Sequence, residues 1–493
     1  MSRINTNVSA LIAQRNLQES NNSLSTSLQR LSTGLRINRG ADDPSGLIVS
    51  ERLRTEIAGL NQAVDNVERA SNVIATSEAA LQEINNLLVS VRGLTTEAAN
   101  TGAFSEEEVE ANQLQIDSAI ESISRIANTT SFAGLKLLNG SMDYISSGVV
   151  NSQMSDVSVF GANFGTNSTM PVTVEVLNSA EVGQLFLSGN TTGAPGALLS
   201  SVSFELQGSK GSETFSFSSG TALSAVAHAV NTVKDAIGVS ASLVSGGNQT
   251  SGLVFSTTEY GSDAFVSVKK LDDGDFFQTF DAQGGAAVSR DTGEDVLATV
   301  NGAVALGDGL DVSLRSNNLS LELSLDEDAA QTTNTPYEFT ITGGGATYQI
   351  GPDVNTQQQV GFGIQSVAAS SLGNSLVGFL NSIRSGGDNA LNSGADTATQ
   401  ARKANDILEA SITQISTLRG RLGAFERNTL QTTLRSQQIA LENLTASESQ
   451  IRDTDFAKET SKLTRAQILQ QAGTSTLGIA NSTSQSVLSL LGG

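Results

Sequence analysis

The residues of this chain most able to do chemistry stand together in the stretch STGLRINRGADDPSG, residues 32–46. It places Arg36 and Arg39 beside Asp42 and Asp43, with glycine and proline among them. Three interpretations compete: a glycine loop that holds phosphate, a carboxylate metal site, or a joint between two long helices. A phosphate loop would follow a strand, and a metal site would need more oxygen ligands.

The joint explains each unusual residue of that stretch. Asp42 or Asp43 would cap the following helix, and Pro44 suits its first position, where the missing N–H costs nothing. Gly34 and Gly40 would let the backbone turn. The arginines and aspartates would then pair within the chain or with a neighbouring copy, and an exposed pair would contribute little stability.

The rest of the sequence offers little catalytic chemistry. There is no Cys, and the one His, His228, lies in the apolar run SAVAHAV, which fits a packed or half-exposed helical position. The acidic clusters at 271–277 and 325–330 could ligate calcium, but neither has the ligand spacing of an EF-hand loop, so solvated turns fit better. No nucleotide, zinc or nucleophile-elbow motif is present. We therefore expect no enzyme activity, no cofactor and no metal.

Charge and hydropathy argue against two classes of partner. The net charge is −22, and no cluster of Lys and Arg exists to neutralise the phosphates of a nucleic acid. No apolar run approaches the about 18–20 residues that cross a bilayer, and the first residues lack the apolar region of a cleaved secretory signal. By these tests the protein is cytoplasmic, or it is exported by a route without such a signal.

Charge and proline divide the 493 residues into three blocks. The net charge is −6 over residues 1–150, −17 over 151–380 and +1 over 381–493. Four of the five prolines lie in the middle block, so long helices are allowed at both ends and discouraged between them.

Both end blocks repeat apolar residues at steps of three, four or seven, which is typical of helices with one apolar stripe. The stripes run over residues 57–91, over 114–126 from Leu114 through Ile116 and Ile120, and over 408–451. Residues 4–35 and 463–491 are also amphipathic but rich in Ser, Asn, Thr and Gln. We expect these outermost segments to be poorly ordered until a partner covers their stripes; the alternative is two frayed tails.

The middle block alternates with period two, which indicates strands. SVSFELQGSKGSETFSF and DGLDVSLRSNNLSLELSL are predicted hairpins, TALSAVAHAVNTVKDAI is a predicted helix, and VSASLV, GLVFSTT and AFVSVKK are predicted strands. ATYQIGPDVNTQQQVGFGI is a further candidate hairpin near the return to helix.

Several of these stretches resemble one family. LQRLSTGLRINRGADDPSGL at 28–47, TTSFAGLKLLNG at 129–140 and AQILQQAGTSTLGIANSTSQSVLSLLGG at the C-terminus closely resemble bacterial flagellin. FELQGSKGSETFSF through VNTVKDAIGVSA resembles a small repeat shared by some flagellins and hook-associated proteins. The match covers both end blocks, and the middle resembles the family only loosely.

The resemblance implies an α+β multidomain fold. Both termini would form a long antiparallel coiled-coil core, with a β-hairpin and an inserted, mainly β outer region that contains a short helix. Residues 1–42 with 453–493 would form the inner core of a filament, and 43–150 with 341–452 a second helical layer. Residues 151–340 would form one or two surface-exposed β-rich domains.

The implied function is polymerisation into the helical flagellar filament, the propeller for swimming. The implied partners are other copies, the flagellar export apparatus, a C-terminal export chaperone, and the cap and hook-junction proteins, and the implied location is extracellular. The expected self-assembly residues are Ile4, Val8, Leu11, Leu24, Leu28, Leu31, Leu35, Arg36, Ile37, Asp42, Asp43, Leu463, Leu469, Leu477, Val487, Leu488, Leu490 and Leu491. The rival interpretations are a hook-junction or cap protein, or an adhesin or enzyme displayed on the filament.

One departure concerns the innate immune receptor that reads an Arg-Val-Arg-Glu-Leu stretch in many flagellins. This chain has Ser90, Val91, Arg92, Gly93 and Leu94 there. It therefore keeps Leu94 as a receptor contact but lacks the first arginine and the glutamate. A second receptor-facing glutamate corresponds to glutamine 115. The resemblance thus implies weakened receptor activation.

Overall fold

The structure is a computed structural model of the chain. It describes residues 7–102, 105–165, 167–188, 196–245, 248–272, 277–316, 318–375, 377–393 and 396–491, and it leaves out the side chains of 248–251 and 483–491. Long helices lie at both ends of the sequence and antiparallel sheets between them, so the α+β fold class is confirmed.

Six helices of the described chain are longer than 20 residues, and they account for most of the two end blocks. The helices are α1 Val8–Thr33, α2 Pro44–Ala98, α3 Glu106–Thr129, α4 Leu223–Thr232, α5 Lys234–Ile237, α6 Glu327–Gln331, α7 Thr397–Phe425, α8 Gln431–Arg452 and α9 Phe456–Leu491. A π-turn, Glu426–Leu430, joins α7 to α8.

The strands follow α3 and continue to α7. They are β1 Ser131–Phe132, β2 Leu135–Lys136, β3 Tyr144–Ser147, β4 Met154–Ala162, β5 Met170–Asn178, β6 Gln184–Ser188, β7 Val202–Gly208, β8 Ser212–Phe217, β9 Val239–Ser245, β10 Asn248–Thr257, β11 Phe265–Lys270, β12 Thr279–Phe280, β13 Arg290–Thr292, β14 Leu297–Val300, β15 Ala303–Val304, β16 Leu306–Asp308, β17 Asp311–Arg315, β18 Leu319–Leu325, β19 Pro336–Gly344, β20 Ala346–Gln349, β21 Gln359–Phe362, β22 Gly373–Asn374 and β23 Gly378–Phe379.

The chain forms two compact units. The terminal unit comprises Met1–Ser71, Gln349–Gln358 and Phe425–Gly493, and the central unit comprises Asn72–Tyr348 and Gln359–Ala424. The β20–β21 hairpin predicted from the sequence is confirmed. Within the terminal unit, the loop of this hairpin lies against α2, where a Cβ on Gly59 would be 3.2 Å from Pro352.

Two separate hydrophobic cores hold most of the described strands of the central unit. The first lies between the sheets β15-β14-β5-β19-β3 and β16-β17-β18-β4. The second lies between β12-β6-β10-β9 and β13-β11-β7-β8 and includes one side of α4. The predicted hairpins β7–β8 and β17–β18 and the predicted strands β9, β10 and β11 are confirmed. Alternate residues of these strands point into the cores, as expected of half-buried strands.

The helices of the central unit bury the stripe that the sequence predicts, with one exception. Leu81, Ile84, Leu88 and Val91 of α2 and Ile116, Ile120 and Ile123 of α3 are fully buried. Leu114, which the sequence analysis assigns to the same stripe, is 63% exposed. The prediction is wrong there because residues two apart lie on nearly opposite sides of a helix. The glutamates after Ser105 do begin α3, through a capping box between Ser105 and Glu108.

The candidate residues for other chemistry have structural positions. His228 is exposed on α4, so of the two predicted positions the packed one is wrong. Asp326 directly precedes α6, so the cluster at 325–330 starts a short helix; the cluster at 271–277 falls partly outside the described residues. In the described part of the chain, no group of three His, Cys, Asp or Glu residues is arranged to hold a metal. No described helix is long and apolar enough to cross a membrane.

Candidate self-assembly interface

The stretch 32–46 is a joint between two helices, as the sequence predicts. Gly34 ends α1 in the left-handed conformation, with φ of 74°. Asp43 caps α2, since its Oδ1 accepts the backbone N–H of Gly46 at 2.9 Å. Asp42 instead stabilises the loop before the helix, where its Oδ2 accepts the N–H groups of Asn38 and Arg39 at 3.0 and 2.9 Å.

One pair of opposite charges in the joint lies within the chain. Arg36 is 3.7 Å from Asp43, which is one of the two kinds of pairing that the sequence leaves open. The N–H groups of Arg39 and Asn38 lower the pKa of Asp42. The N–H of Gly46, followed by the Ser45 hydroxyl, lowers the pKa of Asp43. Both carboxylates therefore stay ionised through the neutral range.

The joint is bonded to the segment between α8 and α9. Leu35 forms an isolated antiparallel bridge with Asp453, and the N–H of Thr454 donates to the carbonyl of Gly34 at 2.9 Å. The guanidinium of Arg452 contacts Glu51 of α2 at 2.6 Å. These bonds connect the N-terminal and C-terminal segments of the terminal unit at the joint. α1 and α9 therefore extend from the joint side by side.

The glycine that the joint requires is Gly46, which was not among the glycines predicted to turn the backbone. A Cβ at this position would lie 2.5 Å from Asp43 Oδ2 and 2.8 Å from Ile37 Cδ1. Gly40, which the sequence analysis selects, has no positive φ, and a Cβ there would be 3.7 Å from its nearest neighbour. Ile37 is fully buried beneath the joint, so we correct its assignment from a contact between copies to the core of the chain.

We expect Gly46→Ala to destabilise the terminal unit by about 1–3 kcal/mol, because a methyl group in this filled space must displace the cap or Ile37. Gly40→Ala is the matched control and should change the free energy of unfolding by less than about 0.5 kcal/mol. Urea unfolding followed by circular dichroism measures both. Equal destabilisation by the two substitutions would contradict this account of the joint.

α1 and α9 run antiparallel. Asn7 Nδ2 donates to the carbonyl of Ala480 at 2.9 Å at one end, and Ser27 Oγ donates to Glu459 Oε1 at 2.7 Å at the other. Between these points a Cβ on Gly473 would lie 3.3 Å from Leu17. The absence of a side chain at Gly473 thus allows the two helices to approach closely.

The surface between α1 and α9 buries small and polar side chains. Of the 26 residues of α1, only Ala13 and Ser27 are buried. On the described part of α9, the buried residues are Ala466 and Glu459. A groove of about 700 Å³ remains open between the helices. Since large apolar side chains supply most of the free energy of helix packing, this pair lacks much of its stabilising core.

Glu459 is the polar centre of the pair and is only 4% exposed. Its carboxylate accepts from Ser27 and lies 3.1 Å from Lys462 and 3.9 Å from Arg30. Burial alone would raise the pKa of Glu459, but the bonds from Ser27 and Lys462 and the two positive charges outweigh burial and lower it. The ionised form of Glu459 therefore stabilises the pairing of α1 with α9.

We expect Glu459→Gln to destabilise this pairing by about 1.5–3 kcal/mol at pH 7, the usual contribution of hydrogen bonds to a charged group. The pKa in the folded state is below the ordinary value of 4.5, so the stabilisation is present above that value and is lost as the pH falls through the lowered pKa. Urea unfolding of both chains at pH 7 and at pH 3 measures the difference. A difference that does not shrink in acid would contradict this role.

Large apolar side chains of α1 and α9 lie on the outside of the pair. Of the predicted interface residues, Val8, Leu11, Leu28 and Leu469 are between 50% and 57% exposed. Five more are half-buried, namely Leu24, Leu31, Leu35, Leu463 and Leu477. Ile4 lies outside the described residues. The backbone of α9 includes Val487, Leu488, Leu490 and Leu491, but their side chains also lie outside what the structure describes.

The exposed apolar surface is wider than the predicted stripe. Ile12, Phe456, Ile468 and Ile479 are 47%, 57%, 61% and 66% exposed. Ile12 directly follows Leu11, and Ile468 directly precedes Leu469. A stripe that advances in steps of three and four residues therefore omits both. We call the exposed large residues of α1 and α9 together the terminal apolar surface; they are Val8, Leu11, Ile12, Leu28, Phe456, Ile468, Leu469 and Ile479.

The residue implied as a receptor contact lies in the central unit. Leu94 is half-buried on α2, next to the exposed Arg92 and Gly93. Arg92 is 3.7 Å from Glu409 and donates through Nε to Asn405 at 3.2 Å. Its guanidinium is therefore engaged by α7 within the chain.

Three family models match the chain. The bacterial flagellin N-terminal helical region matches residues 4–143, the bacterial flagellin C-terminal helical region matches 405–491, and the flagellin hook IN motif matches 203–259. The first two include the joint, α1 and all of α9. The chain belongs to the bacterial flagellin family.

Whole flagellins align with this flagellin from end to end. It is 28% identical to the B-type flagellin of Pseudomonas aeruginosa and 29% identical to the flagellin of Salmonella typhimurium, and each alignment covers 99% of both chains. Among solved structures, FliC from Burkholderia pseudomallei is 15% identical, with 74% of this chain and 99% of that chain covered at a TM-score of 0.23. So low a score carries no argument about the fold.

Proposed function

We propose that this flagellin polymerises by burying the terminal apolar surface between neighbouring copies, and that the resulting polymer is the flagellar filament. The family assignment makes the chain a structural subunit of that filament. The finer step, that α1 and α9 form the contact between copies, rests on the structure of the terminal unit.

One observation carries the proposal. The pair of α1 and α9 buries alanine, serine and a glutamate between its helices and leaves isoleucine, leucine, valine and phenylalanine outside. Burial of one such side chain contributes about 1.5–3 kcal/mol, so covering several of them in each copy can offset the entropy of ordering two helices. Exposed apolar surface rimmed by polar residues is typical of interaction sites.

The contact between copies should be heterologous, with one surface of a copy against a different surface of the next. Such contacts do not close into a ring unless the rotation allows it, and they otherwise produce an open helical polymer. We propose that residues 1–42 with 453–493 form its inner core, 43–150 with 341–452 a second layer, and 151–340 the outer surface. The high negative charge of the middle block would keep that outer surface soluble.

Export without a cleaved signal completes the proposal. Both ends of the chain must reach the growing tip before they are buried, and a chain without cysteine forms no disulfide that would resist passage in an extended state. An export apparatus would carry the chain, and a chaperone that covers α9 would keep the terminal apolar surface from aggregating before export. Cap and hook-junction proteins would be the remaining partners at the ends of the filament.

Seeded growth tests the proposed function. Purified chain is added to short filament fragments, and the length of the filaments is followed by electron microscopy. We expect the fragments to elongate in proportion to the amount of chain added. Seeds that stay at their starting length, with the added chain remaining monomeric, would overturn the proposal.

We also propose that this flagellin activates the innate immune receptor weakly. Leu94 is retained, but Ser90 and Gly93 replace residues that would supply charge, and Arg92 is already engaged by Glu409 and Asn405. A reporter-cell assay should give at least tenfold lower potency than a flagellin with the complete stretch. The double substitution Ser90→Arg with Gly93→Glu should raise the potency, and full potency of the unchanged chain would contradict the prediction.

A further inference from the structure

The chain contains two Asn-Gly dipeptides, Asn139–Gly140 and Asn301–Gly302. An asparagine followed by glycine is prone to deamidation, because glycine has no side chain that would keep its backbone nitrogen away from the asparagine amide. The first dipeptide follows β2, at the end of the stretch TTSFAGLKLLNG, and the second connects β14 to β15. Both lie in the central unit, so only their surroundings distinguish them.

Deamidation needs only the two neighbouring residues and water. The backbone nitrogen of glycine attacks Cγ of asparagine, so that an N–Cγ bond forms and the Cγ–Nδ2 bond breaks. Nδ2 leaves as ammonia with the proton that the glycine nitrogen loses. Water then opens the cyclic imide at either of its carbonyl carbons. The product is aspartate or isoaspartate, whose main chain passes through the side-chain carbon, and either product adds one negative charge.

The surroundings of Asn139 favour the reaction. The side chain is exposed, and its Oδ1 accepts the N–H of Ser141 at 3.1 Å. This bond withdraws electrons from Cγ and closes a small ring that contains both reacting atoms, Cγ of Asn139 and the backbone nitrogen of Gly140. Among the backbone bonds of the described residues, none engages the N–H of Gly140. No backbone bond therefore has to break before this nitrogen approaches Cγ.

The fold also requires glycine at position 140. Gly140 has φ of 86°, a left-handed conformation that favours glycine, and a Cβ there would be 3.3 Å from Cβ of Ser366. A larger residue, which would slow the attack, is therefore strained at this position. Asn139 thus keeps the neighbour with which it reacts most readily.

The surroundings of Asn301 oppose the same reaction. Its Oδ1 accepts the N–H of Thr173 at 2.8 Å, and its Nδ2 donates to the carbonyl of Pro171 at 3.4 Å. Its backbone N–H also donates to the carbonyl of Thr173, at 2.8 Å. With φ of 51°, Asn301 takes the left-handed conformation that Asn-Gly favours in a two-residue hairpin turn. The side-chain amide has to leave both of its bonds to β5 before Cγ can approach the nitrogen of Gly302.

We propose that Asn139 is a site of spontaneous deamidation in the folded chain and that the fold protects Asn301. The difference comes from what holds each side-chain amide. At Asn139 one bond within the loop keeps Cγ in the same small ring as the nitrogen that attacks it, whereas at Asn301 two bonds hold the amide against another strand. The reaction needs no enzyme and no cofactor, so it proceeds in every copy from the time that the copy folds.

Isoaspartate would weaken the loop in which it forms. Two backbone bonds flank the site, since the N–H of Val367 donates to the carbonyl of Leu138 at 3.0 Å and the N–H of Ile364 donates to the carbonyl of Met142 at 3.0 Å. Isoaspartate lengthens the main chain by one atom between these bonds, so the two bonds cannot both keep their geometry. Older copies of the chain should therefore unfold more readily than new ones.

Deamidation rates of the two sites in the full chain test the proposal. The chain is incubated in mildly alkaline buffer, either folded or unfolded in urea, and conversion at Asn139 and Asn301 is measured by mass spectrometry of its peptides. We expect Asn139 to convert at least tenfold faster than Asn301 in the folded chain, and the two to convert at comparable rates in urea. Equal rates in the folded chain would overturn the proposal. So would a folded chain in which Asn139 stays intact for the time in which it converts fully in urea.

Asn139→Gln gives the second readout, because glutamine at this position cannot form the same imide. Isoaspartate in aged samples is measured by enzymatic methylation, and their unfolding in urea is followed by circular dichroism. We expect the aged unchanged chain to gain isoaspartate and to unfold at a lower urea concentration than the fresh chain, and Asn139→Gln to lose most of both changes. The same gain of isoaspartate in Asn139→Gln would overturn the assignment of the site to Asn139.

Discussion

A chain that lacks residues 460–493 is expected to form no filaments on seeds that the full chain elongates. The deletion removes Ile468, Leu469 and Ile479 from the terminal apolar surface and leaves most of α1 without its antiparallel partner. Each of these side chains contributes about 1.5–3 kcal/mol when buried, and loss of three lowers the association constant by at least a thousandfold. Electron microscopy of seeded samples measures the effect.

Two double variants distinguish the loss of the terminal apolar surface from the loss of the helix α9. Leu469→Asp with Ile479→Asp places two charges on the terminal apolar surface, and Gln467→Asp with Gln471→Asp places the same two charges on exposed polar positions of α9. We expect the first pair to stop growth and the second to leave most of it. Similar growth rates for the two double variants would show that apolar burial is not what drives assembly.

Phe204→Ala is expected to have the largest effect on folding of any single truncation in the second core of the central unit. Phe204 is fully buried. Its ring stacks on that of Phe277, with 4.7 Å between the ring centroids, and its centroid lies 5.6 to 6.1 Å from those of Phe215, Phe217 and Phe255. Truncation of such a ring costs about 3–5 kcal/mol through lost burial and the cavity that remains. Calorimetry should show one thermal transition shifted down or lost.

The partly buried Phe217 gives the matched control, because Phe217→Ala makes the same chemical change at a less buried position of the same core. Filaments should still grow from chains with either substitution, since neither residue belongs to the terminal unit. Loss of filament growth in Phe204→Ala as complete as in the chain without residues 460–493 would contradict the division between folding and assembly residues.

Periodicity alone predicts the regular parts of this fold. Strand alternation places β7, β8, β17 and β18 because most inward residues are large and apolar and most outward residues are polar, so only one register buries the apolar set. A cap at Asp42 or Asp43 and the start of α2 at Pro44 also follow from the sequence, because both depend on residues within one turn; the structure selects Asp43. The stripe on α3 fails only at Leu114, two positions from Ile116.

The remaining features of the fold and of the candidate interface depend on contacts between residues that are distant in the sequence. Nothing near Gly46 shows that Ile37 will fill the space beside it. Ser27 and Glu459 each resemble an ordinary exposed helical residue, and only the pairing of α1 with α9 brings them together in a buried position.

The central claim is that the terminal apolar surface is covered by neighbouring copies in the filament. The absence of cysteine from the chain allows a direct measurement with single substitutions Leu11→Cys and Leu469→Cys, and with Thr214→Cys on the exposed face of β8 as the control. The rate of labelling by a thiol reagent is compared between monomer and filament. We predict that the filament slows labelling at positions 11 and 469 at least tenfold and leaves position 214 unchanged. Labelling at positions 11 and 469 that is as fast in the filament as in the monomer would contradict the account.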